Sequence, residues 1–268
     1  MPHLSFRPNP FAGVLLFALS LAVPAGIAQN SVVIYPEGFS RGVATLSTPA
    51  GEFVASGDMR QVVHPNGEVE SWLVFHFKDG SIDSDDTVFT EKGRFRLVRD
   101  HHIQKGHSFP HPEDTTIDVP AGTVRELASG GDGHKFTVKH VDFPTNIANG
   151  MLTTAIKNMP DAAQEADVTY YSDGRLVRLK LLPDGTGKYW VAQRPFAAKR
   201  YIVKIKIGGL AGMVAPLIGK QPPDLHAWYM EGEPPLMLRI DSQLYAQGPV
   251  WRFELAGPAW HAADARGQ

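Results

Sequence analysis

The sequence predicts a mainly β protein, in which an antiparallel curved sheet or a partly open barrel packs on one central α-helix. Three observations predict this fold class. Apolar and polar residues alternate with a period of two in many short segments, which is typical of strands with one buried face. One segment alone has the apolar spacing of an amphipathic helix. The segments are separated by residues that favour tight turns between antiparallel neighbours; the clearest are Pro65-Asn66-Gly67, Lys78-Asp79-Gly80, Ser172-Asp173-Gly174 and Pro183-Asp184-Gly185.

The strands are predicted from the alternation itself. In Glu70–Lys78, the side chains of Leu73, Phe75 and Phe77 share one face. Several other segments carry lysine or arginine on the opposite face, so we expect one side of the sheet to meet water. The predicted strands, about a dozen in all, are Gly42–Ser47, Glu52–Val63, Glu70–Lys78, Thr87–Glu91, Arg94–Arg99, His134–Val141, Ala166–Ser172, Leu176–Leu182, Tyr201–Ile207, Leu225–Met230, Leu236–Asp241 and a last one around Trp251–Leu255.

The predicted helix lies near residues 145–159. Ala148, Leu152, Ala155, Ile156 and Met159 follow helical spacing there, and Pro160 stands just beyond the end. A single amphipathic helix between two sets of strands is expected to fill the concave side of the sheet. Nothing in the sequence indicates a second domain, so we predict a single mainly-β domain over residues 29–268.

Residues 1–28 are predicted to be a signal peptide. Arg7 gives a positive start, Phe11–Val23 is an apolar run, and Gly26-Ile27-Ala28 places small residues before a cleavage site. The run is shorter than the roughly 20 residues that span a bilayer. We therefore expect an exported protein, in the periplasm or the medium, without a transmembrane segment in the mature chain.

Charge and cysteine content exclude several functions. The whole chain has 26 Lys and Arg and 28 Asp and Glu. Arg7 is the only one of these in residues 1–28, so the mature chain has 25 against 28, a net charge of −3. Such a chain has no basic face for nucleic acid. It has no cysteine, which rules out thiol nucleophiles, cysteine-ligated metals and disulfides.

The first function hypothesis is a non-catalytic protein that binds an apolar or amphipathic ligand, such as a lipid, in the concave face of the sheet. The segment Ile207–Ile218 is unusually apolar and rich in glycine, and is too short to span a membrane. It would line the ligand site together with the predicted helix. The predicted ligand-binding residues are Leu152, Ile156, Leu210, Met213 and Leu217.

The second hypothesis is an exported metal-dependent hydrolase. Four histidines and two carboxylates lie within His101–Asp114, and imidazole and carboxylate are the ligands that Zn²⁺ prefers. Pro110 and Pro112 exclude a helix there, and neighbours such as His101 and His102 would point to opposite sides of a strand. His134 and His140 could add ligands. The predicted metal ligands are His101, His107, His111 and Asp114; the competing interpretation is a solvated loop at a strand end.

The acidic stretch Asp79–Asp86 has two interpretations. Its carboxylates are dense enough for Ca²⁺, but it lacks the full residue order of an EF-hand. The simpler prediction is a hairpin turn with its carboxylates in water. The S-x-x-K signature of a catalytic serine is missing from the sequence, which favours a non-catalytic protein. A third hypothesis is a structural or envelope-interaction module.

Four motifs in the chain resemble those of a group of uncharacterised exported bacterial proteins. The motifs are Asp79-Gly80-Ser81-Ile82-Asp83 with Thr87-Val88-Phe89, Asn146–Gly150 (NIANG), Gly219–Asp224 (GKQPPD) and Gly248–Arg252 (GPVWR). The resemblance extends from about Gly57 to Leu255; it implies a single folding unit and supplies no catalytic residue. The expected architecture is also similar to that of the half-barrels of periplasmic lipid and lipoprotein carriers, a likeness that concerns the fold and not the function.

Overall fold

A computed structural model describes residues 32–127, 135–191, 193–206 and 222–256, and in them the chain forms one antiparallel sheet of 14 strands. The predicted signal peptide and the apolar segment Ile207–Ile218 lie outside the described residues. The strands are β1 Ser40–Ser47, β2 Phe53–Val63, β3 Glu68–Phe77, β4 Ile82–Thr90, β5 Arg96–Lys105, β6 Glu113–Asp118, β7 Thr123–Leu127, β8 Phe136–His140, β9 Ala166–Ser172, β10 Arg175–Val191, β11 Arg194–Lys206, β12 Leu225–Met230, β13 Leu236–Gln243 and β14 Val250–Leu255.

Almost every strand pairs with its neighbours in the chain. The order is β8-β7-β6-β5-β4-β3-β2-β1-β14-β13-β12-β11-β10-β9, so the first and last strands meet in the middle of the sheet. The sheet is curved and does not close into a barrel. This sheet confirms the predicted fold class. Antiparallel pairing is the simplest arrangement for alternating segments that are joined by short turns.

The concave side of the sheet, which we call the inner face, holds the core. Phe75 and Phe77 of β3 are buried there and Leu73 packs against them, as the alternation predicts. Phe75 contacts Phe253 of β14 edge-to-face, with 5.4 Å between ring centroids. Since β3 and β14 lie on opposite sides of β1 in the sheet, the centre of the sheet is held by aromatic packing.

The helix is shorter than predicted. Helix α1 covers Leu152–Lys157, and residues 145–150 form a turn and a short extended stretch. Ile147 makes a parallel bridge with Thr169 of β9. The Asn149 amide adds two further hydrogen bonds to the backbone of Tyr171, of 2.8 and 2.9 Å. The stretch thus covers the free edge of β9, and that pairing displaces the first half of the predicted helix.

The chain segment before β1 is tied to the end of α1. The buried side chain of Asn158 accepts hydrogen bonds from the backbone N–H groups of Ile34 and Tyr35, at 2.8 and 2.6 Å. The Lys157 ammonium lies 2.5 Å from the Glu37 carboxylate. These contacts fix α1 against the inner face. None of the helices in the described ranges has the length and apolar character needed to cross a membrane.

Candidate functional site

A band of polar side chains crosses the inner face of β4, β5 and β6, where the rest of that face is apolar. Residues two apart on a strand point to the same side, and the register places residues of the three strands in rows. The rows are Asp83, Gln104 and Glu113; Asp85, His102 and Thr115; and Thr87, Asp100 and Ile117. We call Asp83, Asp85, Asp100, His102 and Glu113 the acid–histidine cluster.

His102 lies between two carboxylates. Its Nε2 is 2.9 Å from Asp83 Oδ1, and its Nδ1 is 3.6 Å from Glu113 Oε1. Burial by itself would lower the pKa of His102, but the hydrogen bonds to Asp83 and Glu113 outweigh burial and raise it well above 6.5. Gln104 fixes Asp83 by donating to its Oδ1 at 3.1 Å. The two carboxylates therefore favour the protonated imidazole and hold it in one orientation.

Asp85 and Asp100 form a buried carboxyl pair. Burial, together with the negative charge of Asp100, raises the pKa of Asp85 well above 3.8, and burial also raises the pKa of Asp100. A side-chain hydrogen bond joins the two carboxyls, and Asp100 also accepts a 2.9 Å bond from Thr87 Oγ1. Asp85 Oδ1 is buried without a partner among the described residues. Two such groups share a proton because both cannot be charged so close together.

The NIANG stretch seals this carboxyl pair. Gly150 has a positive φ of 66°. A Cβ added to it would lie 1.8 Å from Thr87 Oγ1 and 2.7 Å from Asp100 Oδ1. Tyr170 lies close to the same carboxyl pair. Its burial, together with the charges of Asp85 and Asp100, raises the pKa of its hydroxyl well above 10. The turn before α1 therefore sits directly on the carboxyl pair.

The inner face of the described chain is filled by side chains. At one end Phe77 packs edge-to-face on Phe109 and Trp251, with centroid distances of 5.1 and 5.3 Å. Beside the helix a cavity of about 20 Å³ remains, which is room for one water molecule. Sites for small organic ligands usually measure about 300–1,000 Å³. Its lining residues are Phe95, Asn146, Ile147, Ala148, Met151, Ala155 and Val168.

The predicted ligand-binding residues are only partly described. Ile156 is fully buried in the core, and Leu152 is partly buried and packs against it. Both belong to the element that fills the concave side. Leu210, Met213 and Leu217 lie outside the described residues, and with them most of the predicted ligand site.

The predicted metal ligands fall into separate places. His101 and Asp114 contact each other, with 3.0 Å between Nε2 and Oδ1. His101 points away from the acid–histidine cluster, because it is the immediate neighbour of His102 on β5. His107 and His111 are exposed in the loop between β5 and β6. Among the residues described, no group of three or more His, Asp and Glu is arranged to hold a metal ion; His134 is outside that set.

The acidic stretch differs from its simpler prediction. Asp79 and Gly80 do form the turn, where Asp79 Oδ1 accepts a 2.9 Å bond from the Ser81 N–H. The interpretation of the following carboxylates as water-facing is wrong, since Asp83 is buried and Asp85 Oδ1 is shielded from water. The available signal was the alternation Asp83, Asp85, Thr87, Phe89, which continues the period of two. Sequence reasoning also missed the inward-facing roles of Asp100, His102, Gln104 and Glu113.

The cluster predicts how stability depends on pH. Because the pKa of His102 is raised above its ordinary value of 6.5, its contribution to stability is complete below pH 6.5 and is lost as the pH rises through the pKa of the folded state. The raised pKa of Asp85 has the same effect, with a loss of stability that begins above its ordinary pKa of 3.8. The lowered pKa of Glu113 gives stability that is lost as pH falls below 4.5. We expect urea unfolding to show greater stability near pH 6 than at pH 9.

The variant Asp85→Asn isolates one part of this dependence. Asparagine is neutral at every pH and keeps a donor for Asp100, so the variant should exceed the wild type at pH 8 by about 1 kcal/mol. Near pH 4 the two should be alike. Asp58→Asn, at an exposed position on β2, serves as control and should leave the pH profile unchanged. A flat wild-type profile between pH 6 and 9 would contradict the assignment.

The chain has structural similarity to solved proteins at low sequence identity. It is similar in structure to a β-barrel-like protein of domain of unknown function DUF1849 from Brucella abortus, with a TM-score of 0.47 and 8% identity, over 82% of this chain and 96% of that one. MucB in complex with MucA(peri) matches with a TM-score of 0.18 and 8% identity, over 82% and 87%. The MucA/MucB complex of Pseudomonas aeruginosa gives 0.17 and 8%, over 81% and 87%. No protein-family model matches the sequence, and neither does any curated protein.

Proposed function

We propose that this protein is an exported, non-catalytic binding module that takes an amphipathic ligand on its inner face. The observation that carries the proposal is the division of that face into an apolar floor and an acidic wall. The floor is formed by core residues such as Phe75, Phe253 and Leu181. The wall is the acid–histidine cluster. Export rests on the sequence of residues 1–28.

The carboxyl groups of the acidic wall indicate which polar group the ligand would carry. Buried carboxyls contribute little to stability, because the cost of removing them from water offsets what they gain from their partners. Asp83, Asp100 and Glu113 face a single imidazolium, and Asp85 leaves one oxygen unpartnered. Perturbed groups of this kind are concentrated at functional sites. A ligand with an ammonium group or several hydrogen-bond donors would complement such a wall.

The ligand would take the place of the residues 146–158. The cavity of about 20 Å³ excludes a ligand of ordinary size from the face as it stands. Helix α1 has six residues, far fewer than an isolated helix needs to be stable. The 146–158 segment therefore depends on its contacts with β9, Glu37 and the core, and a ligand on this face would have to replace those contacts.

The test uses three twelve-carbon amphiphiles below their micellar concentrations: dodecylammonium, laurate and dodecyl maltoside. We expect dodecylammonium to bind at least fivefold more tightly than laurate, because the wall carries an excess of carboxylates. Its binding should raise the thermal midpoint and increase hydrogen exchange in residues 146–158. Glu113→Gln should weaken dodecylammonium binding, since this carboxylate is 42% exposed beside His102.

The exposed Asp58 on the other side of the sheet gives a matched control, and Asp58→Asn should bind dodecylammonium as the wild type does. Equal affinity for laurate would overturn the acidic-wall assignment. Absence of binding by all three amphiphiles would overturn the proposal as a whole and favour the structural or envelope-interaction module.

A further inference from the structure

The outer face of β1–β3 carries a groove that neither the core nor the acid–histidine cluster uses. Its volume is about 800 Å³, within the range of small-molecule sites. Aromatic and charged side chains line it, a mixture that a merely solvated sheet surface does not require. The lining residues are Phe39, Arg41, Asp58, Met59, Arg60, Val62, Glu70 and Trp72.

Two arginines face each other across the groove. Arg41 of β1 is the direct cross-strand partner of Arg60 of β2, and both side chains are exposed. Within the described ranges neither of them forms an ion pair or a hydrogen bond. Like charges directly opposite each other on neighbouring strands are destabilising. A bound anion would remove that repulsion, and two guanidinium groups can hold a carboxylate or phosphate through several hydrogen bonds.

An aromatic surface adjoins the arginine pair. Trp72 of β3 is the cross-strand partner of Arg60, and it is 38% exposed. Phe39, just before β1, is 76% exposed. Sites for small molecules are lined mainly by hydrophobic and aromatic side chains, and arginine beside them supplies the charge that fixes an anion. Their flat faces favour a ring in the ligand over a flexible chain.

The carboxylates of the groove restrict the ligand further. Glu70 is held by His64, with 2.9 Å between Oε2 and Nε2. Asp58 has no partner in the described part of the chain and lies two residues from Arg60 on the same face. It would repel a ligand with charge spread over several groups and would accept a hydrogen bond from a hydroxyl.

We propose that this groove binds a small molecule in which one anionic group, a carboxylate or phosphate, is attached to a flat ring. Arg41 and Arg60 would hold the anion, and Trp72 would contact the ring. This site is on the opposite side of the sheet from the proposed amphiphile site. Its charged and aromatic residues differ from those of the inner face, so each proposal can fail without the other.

The test measures binding of phenyl phosphate to the full mature protein by NMR of the tryptophan indole N–H groups, with Trp72→Phe used to assign the Trp72 signal. We expect the Trp72 signal to move, and inorganic phosphate and phenol to bind at least tenfold more weakly. Arg41→Gln and Arg60→Gln should each raise the Kd at least fivefold. Arg175→Gln, at an exposed arginine on β10, should not change it.

The variant Arg60→Glu separates binding from folding. It replaces the facing arginines by an opposite-charge pair, so the thermal midpoint should rise by about 1–3 °C while phenyl phosphate binding is lost. An unmoved Trp72 signal, or equal binding by the Arg175 and Arg60 variants, would overturn the proposal. If an acidic peptide displaced phenyl phosphate with a higher affinity than any ring-bearing anion, the small-molecule assignment would be wrong.

Discussion

Replacing Gly150 with alanine is expected to lower the free energy of unfolding by about 3–5 kcal/mol. Two effects add. The positive φ of 66° at this residue is costly for any residue with a Cβ. The new methyl group would also lie 1.8 Å from Thr87 Oγ1, so the turn must move away from the carboxyl pair. Urea unfolding at pH 6 measures the loss.

Gly80→Ala is the matched control. Gly80 also has a positive φ, of 82°, but a Cβ added there would meet nothing within 4 Å. Its cost should therefore be the conformational part alone, about 1–2 kcal/mol. Hydrogen exchange gives a second measure: Gly150→Ala should expose the amides of residues 146–151, and Gly80→Ala should not. Equal losses in the two variants would show that Gly150 is required only for its backbone conformation.

The fold could be predicted because its signal is local and repeated. Alternation in segments such as Glu70–Lys78 places side chains on one face whatever the rest of the chain does. Two strands, β6 and β7, were missed. In β6 the inward positions are Glu113, Thr115 and Ile117, and only one of these is apolar. The alternation there is too weak to distinguish a strand from the loop that the neighbouring histidines and prolines indicate.

The candidate site could not be predicted in the same way, because its residues contradict the usual rule that charged side chains face water. The sequence predicts that Asp83 and Asp85 are solvated carboxylates, although the period of two places them on the same face of the strand as the buried Phe89. Their burial depends on His102, which is brought opposite by the register of β4 and β5. Which residues face each other across strands is set by turns and bulges, and a single sequence does not define it.

The motif residues nonetheless meet in space. Asp83 and Thr87 come from the first motif and Gly150 from the second, and all three contact or adjoin Asp100 or His102. The last motif contributes Trp251 to the aromatic packing on Phe77. The same contacts explain the shorter helix: the close approach of Gly150 to Thr87 requires a left-handed residue where the predicted helix would need a right-handed one.

Replacing Asn158 with alanine is expected to cost about 2–4 kcal/mol. The side chain is fully buried, and it joins three backbone groups from two separate segments. Its Oδ1 accepts from the N–H groups of Ile34 and Tyr35, and its Nδ2 donates to the Thr154 carbonyl at 3.0 Å. Alanine would leave the two N–H donors unsatisfied beside the core.

The control is Asn66→Ala, in the exposed turn between β2 and β3. Asn66 also accepts a backbone hydrogen bond, from Glu68 at 3.0 Å, but water can replace it, so the loss should stay below about 1 kcal/mol. Hydrogen exchange at Ile34 and Tyr35 should rise in Asn158→Ala alone. Unchanged protection of these two amides would show that Asn158 does not fix the segment before β1. The position of α1 would then depend on the Lys157–Glu37 ion pair. In that case Lys157→Met, which removes the ion pair, should increase hydrogen exchange at Ile34 and Tyr35.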